Sequence, residues 1–182
     1  MARQQRADPR DFVRGYIGRD HPVMREVTRA LALATGCDLA QAPVGTDGCS
    51  IPTYGIPLAA LARGFARAAT GLGLPADHAA AARRLREAIA SAPMMVAGTG
   101  RFDTRVMERL GTRVCCKVGA EGVYCAALPE AGLGIAIKID DGQARAAEVV
   151  MAAVIEALVP LADDERGFMR ELSTPELRNW NG

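Results

Sequence analysis

Apolar residues recur at helical spacing through most of the chain and switch to a period of two only in its last third. In "DHPVMREVTRALALATG" the residues Met24, Val27, Leu31 and Ala34 form one face, Pro22 suits a first turn, Asp20 or His21 can cap it, and Gly36 stops it. A second amphipathic helix follows Pro57, with Leu58, Leu61, Ala62, Phe65 and Ala69 on one side and Gly71 and Gly73 closing it. "DHAAAARRLREAIA" reads as a third, with Leu85 and Ile89 inward and Arg83, Arg84 and Arg86 outward. A loop through Gly98 and Gly100 then precedes a short helix from Asp103 to Leu110.

From Thr112 the pattern is that of strands. Residues 113–118 and 122–128 are short β-type runs, and Leu133, Ile135, Ile137 and Ile139 alternate with Gly134, Ala136 and Lys138. These predict an antiparallel meander of about three strands with one apolar face. A helix over Gln143–Val159, carrying Ala147, Val150, Met151, Val154 and Leu158 on one side, covers it and stops at Pro160. Helices, then a small sheet, then a covering helix make an α+β fold. Sheets usually have about 4 to 6 strands, so this one is expected to be completed by another segment or chain. Residues 1–19 read as a polar leader, 20–111 as mostly helical, 112–160 as sheet plus helix, and 161–182 as a polar tail, with a late Trp180, expected to be poorly ordered.

Composition narrows the classes. The chain has 182 residues, 49% of them apolar, and a formal charge of +1, which fits one domain or a piece of a larger one and argues for neither nucleic acid nor an anionic membrane as partner. No apolar run reaches the roughly 18 to 20 residues that span a bilayer, and "MARQQRADPRDFVRGYIGRD" has no apolar core of a secretory signal. Five cysteines without CxxC spacing point to a reduced, cytoplasmic setting.

Candidate chemistry lies in three stretches. In "CCKVGAEG" Lys117, one of only two lysines beside 20 arginines, ends an apolar strand, where it either snorkels to the surface or is held in a polar site. In "TDGCS" Asp47 and Gly48 fit a turn that displays Cys49, a cysteine that packs quietly, reacts, or ligates a metal. One cysteine alone does not make a structural zinc site. In "GTGRFDT" Asp103 fits a helix N-cap and the fork of Arg101 suits a substrate carboxylate; the stretch is no phosphate loop. His21 and His78, at helix starts, read as caps rather than catalytic groups. The dense loop "APVGTDGCSIPTYGIP", pinned by Ile51 and Tyr54, is a plausible site wall.

Lys117 also begins a Lys-Val-Gly that is similar to the Lys-Thr-Gly strand motif of serine-active penicillin-recognising enzymes, with Val118 lacking the threonine hydroxyl. More broadly, "DHPVMREV", "GTDGCSIPTYGIPLAALARGFARAA", "PMMVAGTGRFDTRVME" and "KVGAEGVYCAALPEAGLGIAIKIDDGQARAAEV", in this order over roughly residues 20–158, resemble the rhizobial-type L-asparaginases of the asparaginase II family. The resemblance implies the fold of serine β-lactamases and penicillin-binding proteins, and hydrolysis of L-asparagine to L-aspartate and ammonia. It implies that Lys117 stabilises charge during catalysis, that Gly119, Glu121 and Asp47 lie at the substrate end of the pocket, and that Cys49 can bind zinc.

That family also carries an upstream Ser-x-x-Lys, its nucleophile and base, and a Cys-Ser-Gly-Lys that completes the zinc site. Serine stands here only at positions 50, 91 and 173, never followed by lysine three residues on. The chain is therefore expected to be the C-terminal half of such an enzyme, working with an N-terminal half chain or as a homo-oligomer. The competing expectation is a non-catalytic module that binds an amino acid or a partner chain. A third is that Cys49 has become the nucleophile.

Overall fold

The computed structural model describes residues 8–176 and is α+β. Trp180 lies outside the described residues. Within the stretch read as a leader, a single turn, α1 (Pro9–Phe12), is capped by Asp8. His21 caps α2 (Pro22–Thr35) as expected: its Nδ1 accepts the Val23 amide at 3.1 Å, and its Nε2 donates to the Phe12 carbonyl at 2.8 Å. Gly36, with φ 71°, ends that helix in the left-handed conformation glycine tolerates best. α3 (Leu58–Thr70) packs against α2, and Arg67 donates to the carbonyls of Leu33 and Ala34 at 2.8 and 3.2 Å, satisfying the end of α2.

Between these helices the expected loop is a two-stranded hairpin, β1 (Val44–Thr46) and β2 (Pro52–Tyr54). Its glycines and prolines hid strands of only three residues each, too short for a readable period. α4 (Ala76–Ser91) departs from the pattern in another way. Leu85, expected inward, is 64% exposed, while Ile89 packs on the core. His78 is inside the helix rather than at its cap and pairs with Asp77 at 3.0 Å. A short α5 (Met94–Ala97) interrupts the next loop.

α6 begins at Phe102 and ends at Leu110, and Arg101, not Asp103, occupies its N-cap. The sheet follows as predicted: β3 (Cys115–Val118), β4 (Val123–Leu128) and β5 (Leu133–Lys138) form an antiparallel meander in that order. Its register sends Cys116, Val118, Tyr124, Ala126, Leu128, Ile135 and Ile137 to one face, where they meet α6 and α7 (Ala144–Leu158). Lys117, Cys125, Ala127, Gly134, Ala136 and Lys138 share the other.

The second face is covered too, which the alternation did not predict. α3 runs along β5 so closely that a Cβ on Gly134 would meet the Ala62 carbonyl at 2.0 Å and the Ala66 amide nitrogen at 2.3 Å. The small residues that alternate with the apolar ones on β5 are the seat of a helix. Coverage is uneven across the sheet, however. Cys116, Tyr124, Ala126 and Leu128 are fully buried, but Ile135 and Ile137 on the edge strand β5 stay half-buried.

The tail also differs from expectation. Residues 163–173 form α8 (Asp163–Ser173), which packs on α7 and buries Met169 completely. Ion pairs Arg113–Glu165, Arg109–Asp164 and Arg170–Glu156 hold its polar side. Its charged composition concealed one apolar stripe, including Phe168, Met169 and Leu172. No helix among the described residues is long and apolar enough to cross a membrane.

Candidate functional site

The β3–β4 turn gathers three of the residues singled out in the sequence. Lys117 is exposed on the edge strand, with Nζ donating to the carbonyl of Val118 at 2.9 Å. The Gly119 amide donates to the Val123 carbonyl at 2.8 Å, and the Val123 amide to Ala120 at 3.1 Å, which tightens the turn. Glu121 takes φ 54°, an uncommon conformation for a non-glycine residue, and leaves its carboxylate exposed. Gly122 then binds the end of β5: its carbonyl accepts the Ile139 amide at 3.0 Å, and a Cβ there would meet Ile139 Cβ at 2.9 Å.

This turn also brings the two lysines onto one face. Lys117 is opposite Cys125, and Lys138 is opposite Val123, so they flank β4 near the same end of the sheet. The register thus places positive charge from two strands on one face at this end of the sheet. Lys138 entered the sequence reading only as a polar position in an alternating strand. Its partnership with Lys117 depends on a register that links residues 21 apart, so the linear pattern held no signal for it.

A buried carboxylate fixes the other side of the turn. Asp103, 1% exposed, accepts the Val118 amide at Oδ1, 2.9 Å, and the Tyr124 hydroxyl at Oδ2, 2.7 Å. The reading of Asp103 as an N-cap is thus corrected: its side chain reaches out of its own helix to bridge strands β3 and β4. Burial, and then the bond to Asp103, push the Tyr124 hydroxyl pKa well up, so it stays a neutral donor. The same bridge places the start of α6 beside the end of β3. Arg101, two residues before Asp103, is exposed; its carbonyl accepts the Arg105 amide at 2.9 Å, while its guanidinium has no hydrogen-bond or ion-pair partner among the described residues.

Asp47 and Cys49 occupy the tip of the β1–β2 hairpin. One oxygen of Asp47, Oδ1, accepts both the Cys49 amide at 2.8 Å and the Ile51 amide at 3.1 Å, so this carboxylate organises the turn it sits in. Cys49 is exposed. Among the described residues neither side chain bonds to the β3–β4 turn. Among the described residues no cluster of three or more His, Cys, Asp or Glu side chains could hold a metal ion. A protein zinc site normally draws on roughly three or four such ligands; Cys49 supplies one, so the residues described do not fit zinc by themselves.

The three thiols of the sheet are poor nucleophiles. Burial raises the pKa of Cys115, raises Cys116 far above the ordinary thiol value, and lifts Cys125 to about 11. Two clefts lie beside the sheet. One of about 270 Å³ is lined by Arg83, Arg86, Cys115 and Glu130, and one of about 600 Å³ lies between α2, the hairpin base, α3 and the sheet end at Val123 and Lys138.

The L-asparaginase II family model matches residues 2–182. The chain belongs to the L-asparaginase II family. The match runs through the stretches read as leader and tail, and α8, which lies in that tail, is integral to the core. No curated protein matches the chain. Within the family assignment, Lys117, Gly119 and Glu121 share one turn, Arg101 is held near it through Asp103, and Asp47 and Cys49 stand on a separate hairpin.

Proposed function

We propose that this L-asparaginase II family chain serves the hydrolysis of L-asparagine to L-aspartate and ammonia, with the β3–β4 turn as its part of the active site. The observation that carries this reading is the family match together with the exposed Lys117 held beside a turn of Gly119, Glu121 and Gly122. In such a reaction a serine Oγ attacks the side-chain amide carbon, its proton leaves with ammonia, and water hydrolyses the β-aspartyl ester to regenerate the serine. Lys117 stabilises the negative charge of the tetrahedral intermediate, and Glu121 and Arg101 face the α-amino and α-carboxylate ends of the substrate. Asp47 lines the substrate end from the hairpin.

No serine of this chain is followed by lysine three residues on, so the reading assigns the nucleophile to another polypeptide segment. The edge strand β5 supports the place of that segment. Ile135 and Ile137 are only half-buried there, and Val150 and Leu158 of α7 are 40% and 42% exposed. A second copy pairing through β5 would bring two α3 helices about 5 Å apart, one strand spacing, where packed helices need about 8–10 Å. A lone strand from an N-terminal half chain meets no such clash. Zinc belongs to this reading only if that segment adds ligands to Cys49.

A second reading is a non-catalytic module that binds an amino acid, favoured by the lack of a Ser-x-x-Lys and by Val118 in Lys-Val-Gly. Ammonia release from L-asparagine separates the two. The chain, alone and with an added segment bearing Ser-x-x-Lys, would be assayed beside Lys117→Ala. Activity that appears with the segment and falls with the substitution supports the enzyme; calorimetric binding of asparagine with no ammonia in any combination supports the module.

A further inference from the structure

The cleft of about 600 Å³ adjoins the β3–β4 turn, sharing Val123 with it, and its lining is mostly aliphatic. Val27, Leu31, Ile51, Leu58 and Leu61 form its walls. Two of them, Val27 at 48% and Leu58 at 44%, are exposed to water in the free chain. Covering such side chains is favourable by about 25 cal/mol for each Å² removed from water. The volume falls within the roughly 300–1,000 Å³ of small-molecule sites.

Its polar side chains are Thr28, Thr53, Tyr54 and Lys138, each a hydrogen donor. The hydroxyls of Thr28 and Tyr54 bond each other at 2.9 Å. Whichever donates, the accepting hydroxyl keeps its own hydrogen for a third partner. Lys138 Nζ spends one hydrogen on the Ile139 carbonyl at 2.5 Å and retains two. Among the described residues no carboxylate lines the cleft, so Lys138 gives it a positive end. L-Asparagine, charged at one end and an amide at the other, is a poor match for these aliphatic walls.

We propose that this cleft binds an aliphatic monocarboxylate, with the hydrocarbon chain along Val27, Leu31, Leu58 and Leu61 and the carboxylate on Lys138 and the Thr28–Tyr54 pair. Ile51 and Tyr54 belong to the hairpin that displays Asp47 and Cys49, so an occupant joins that hairpin to the sheet end. Lys138 shares a sheet face with Lys117, and the proposal is tested by binding alone, which does not depend on the asparaginase reading.

Decanoate, below its micellar concentration, is titrated into the full chain by calorimetry, with 1-decanol as the uncharged control. One saturable site is expected, with decanoate weakened by roughly tenfold or more in Lys138→Gln and decanol unchanged. Val27→Asp, at an exposed position, places a like charge in the cleft and is expected to abolish decanoate binding. Circular dichroism of both variants verifies that they fold. Absence of saturable binding, equal affinity in Lys138→Gln, or full binding in Val27→Asp overturns the proposal.

Discussion

The carboxylate of Asp103 accepts the Tyr124 hydroxyl at 2.7 Å from a position 1% exposed to solvent. With the Val118 amide on its other oxygen, it ties the first turn of α6 to the strand that carries Lys117. Removing it strands two buried donors. Asp103→Ala is therefore expected to cost about 2–5 kcal/mol of stability, against about 1 kcal/mol for Tyr124→Phe, which deletes one hydrogen bond. Urea denaturation of both variants measures the difference; equal losses would show that the Val118 bond carries no weight.

Gly134 is the second sensitive point. Its absent Cβ leaves room for the backbone of α3, and alanine there would drive a methyl into the Ala62 carbonyl. Gly134→Ala is expected to destabilise the chain by about 3 kcal/mol or more, because the obstacle is backbone that no rotamer change can move. Thermal unfolding reads this directly. A variant as stable as the parent would mean that α3 does not lie on β5.

Thiol labelling should separate the five cysteines. Cys49 is exposed, Cys37 and Cys115 are partly exposed, and Cys116 and Cys125 are buried. With Cys125 raised to about 11, only about one molecule in a thousand carries its thiolate at pH 8. Iodoacetamide at pH 8, followed by peptide mass mapping, should modify Cys49 first and leave Cys116 and Cys125 intact until denaturant is added. Native-state labelling of Cys125 at the rate of Cys49 would contradict the packing of β4.

The docking of α8 should weaken in acid. Glu165 receives a two-pronged contact from Arg113 and bonds the Ala162 amide at 3.0 Å, and its pKa is lowered from 4.5, chiefly by Arg113. A carboxylate with a lowered folded pKa stabilises the fold fully above its unfolded value and loses that contribution as pH falls through the folded one. Stability is thus expected to hold at neutral pH and to fall below about pH 4.5, with Glu165→Gln showing a smaller drop than the parent. An identical acid profile in the two proteins would remove this pair from the account.

Much of the architecture was legible without coordinates. The alternation of Leu133, Ile135 and Ile137 announced a strand, Pro22 and Gly36 bounded a helix, and the switch of period near Thr112 divided helices from sheet. These signals are local, set by the dihedral needs of proline and glycine and by the geometry of one element. The turn holding Lys117, Gly119 and Glu121 was visible for the same reason. The hairpin over 44–54 and α8 escaped because three-residue strands have no readable period and a highly charged helix can still bury one stripe.

By itself the sequence determined the order and kind of the main elements, the scarcity of lysine and the absence of a Ser-x-x-Lys. Tertiary structure alone decided that Asp103 bonds β3 and Tyr124 rather than its own helix, that Gly134 seats α3, and that Lys117 and Lys138 share one face. Each of these joins residues distant along the chain. A carboxylate satisfies the donors that folding brings within reach, and a glycine's missing side chain acquires meaning only when another backbone fills the space.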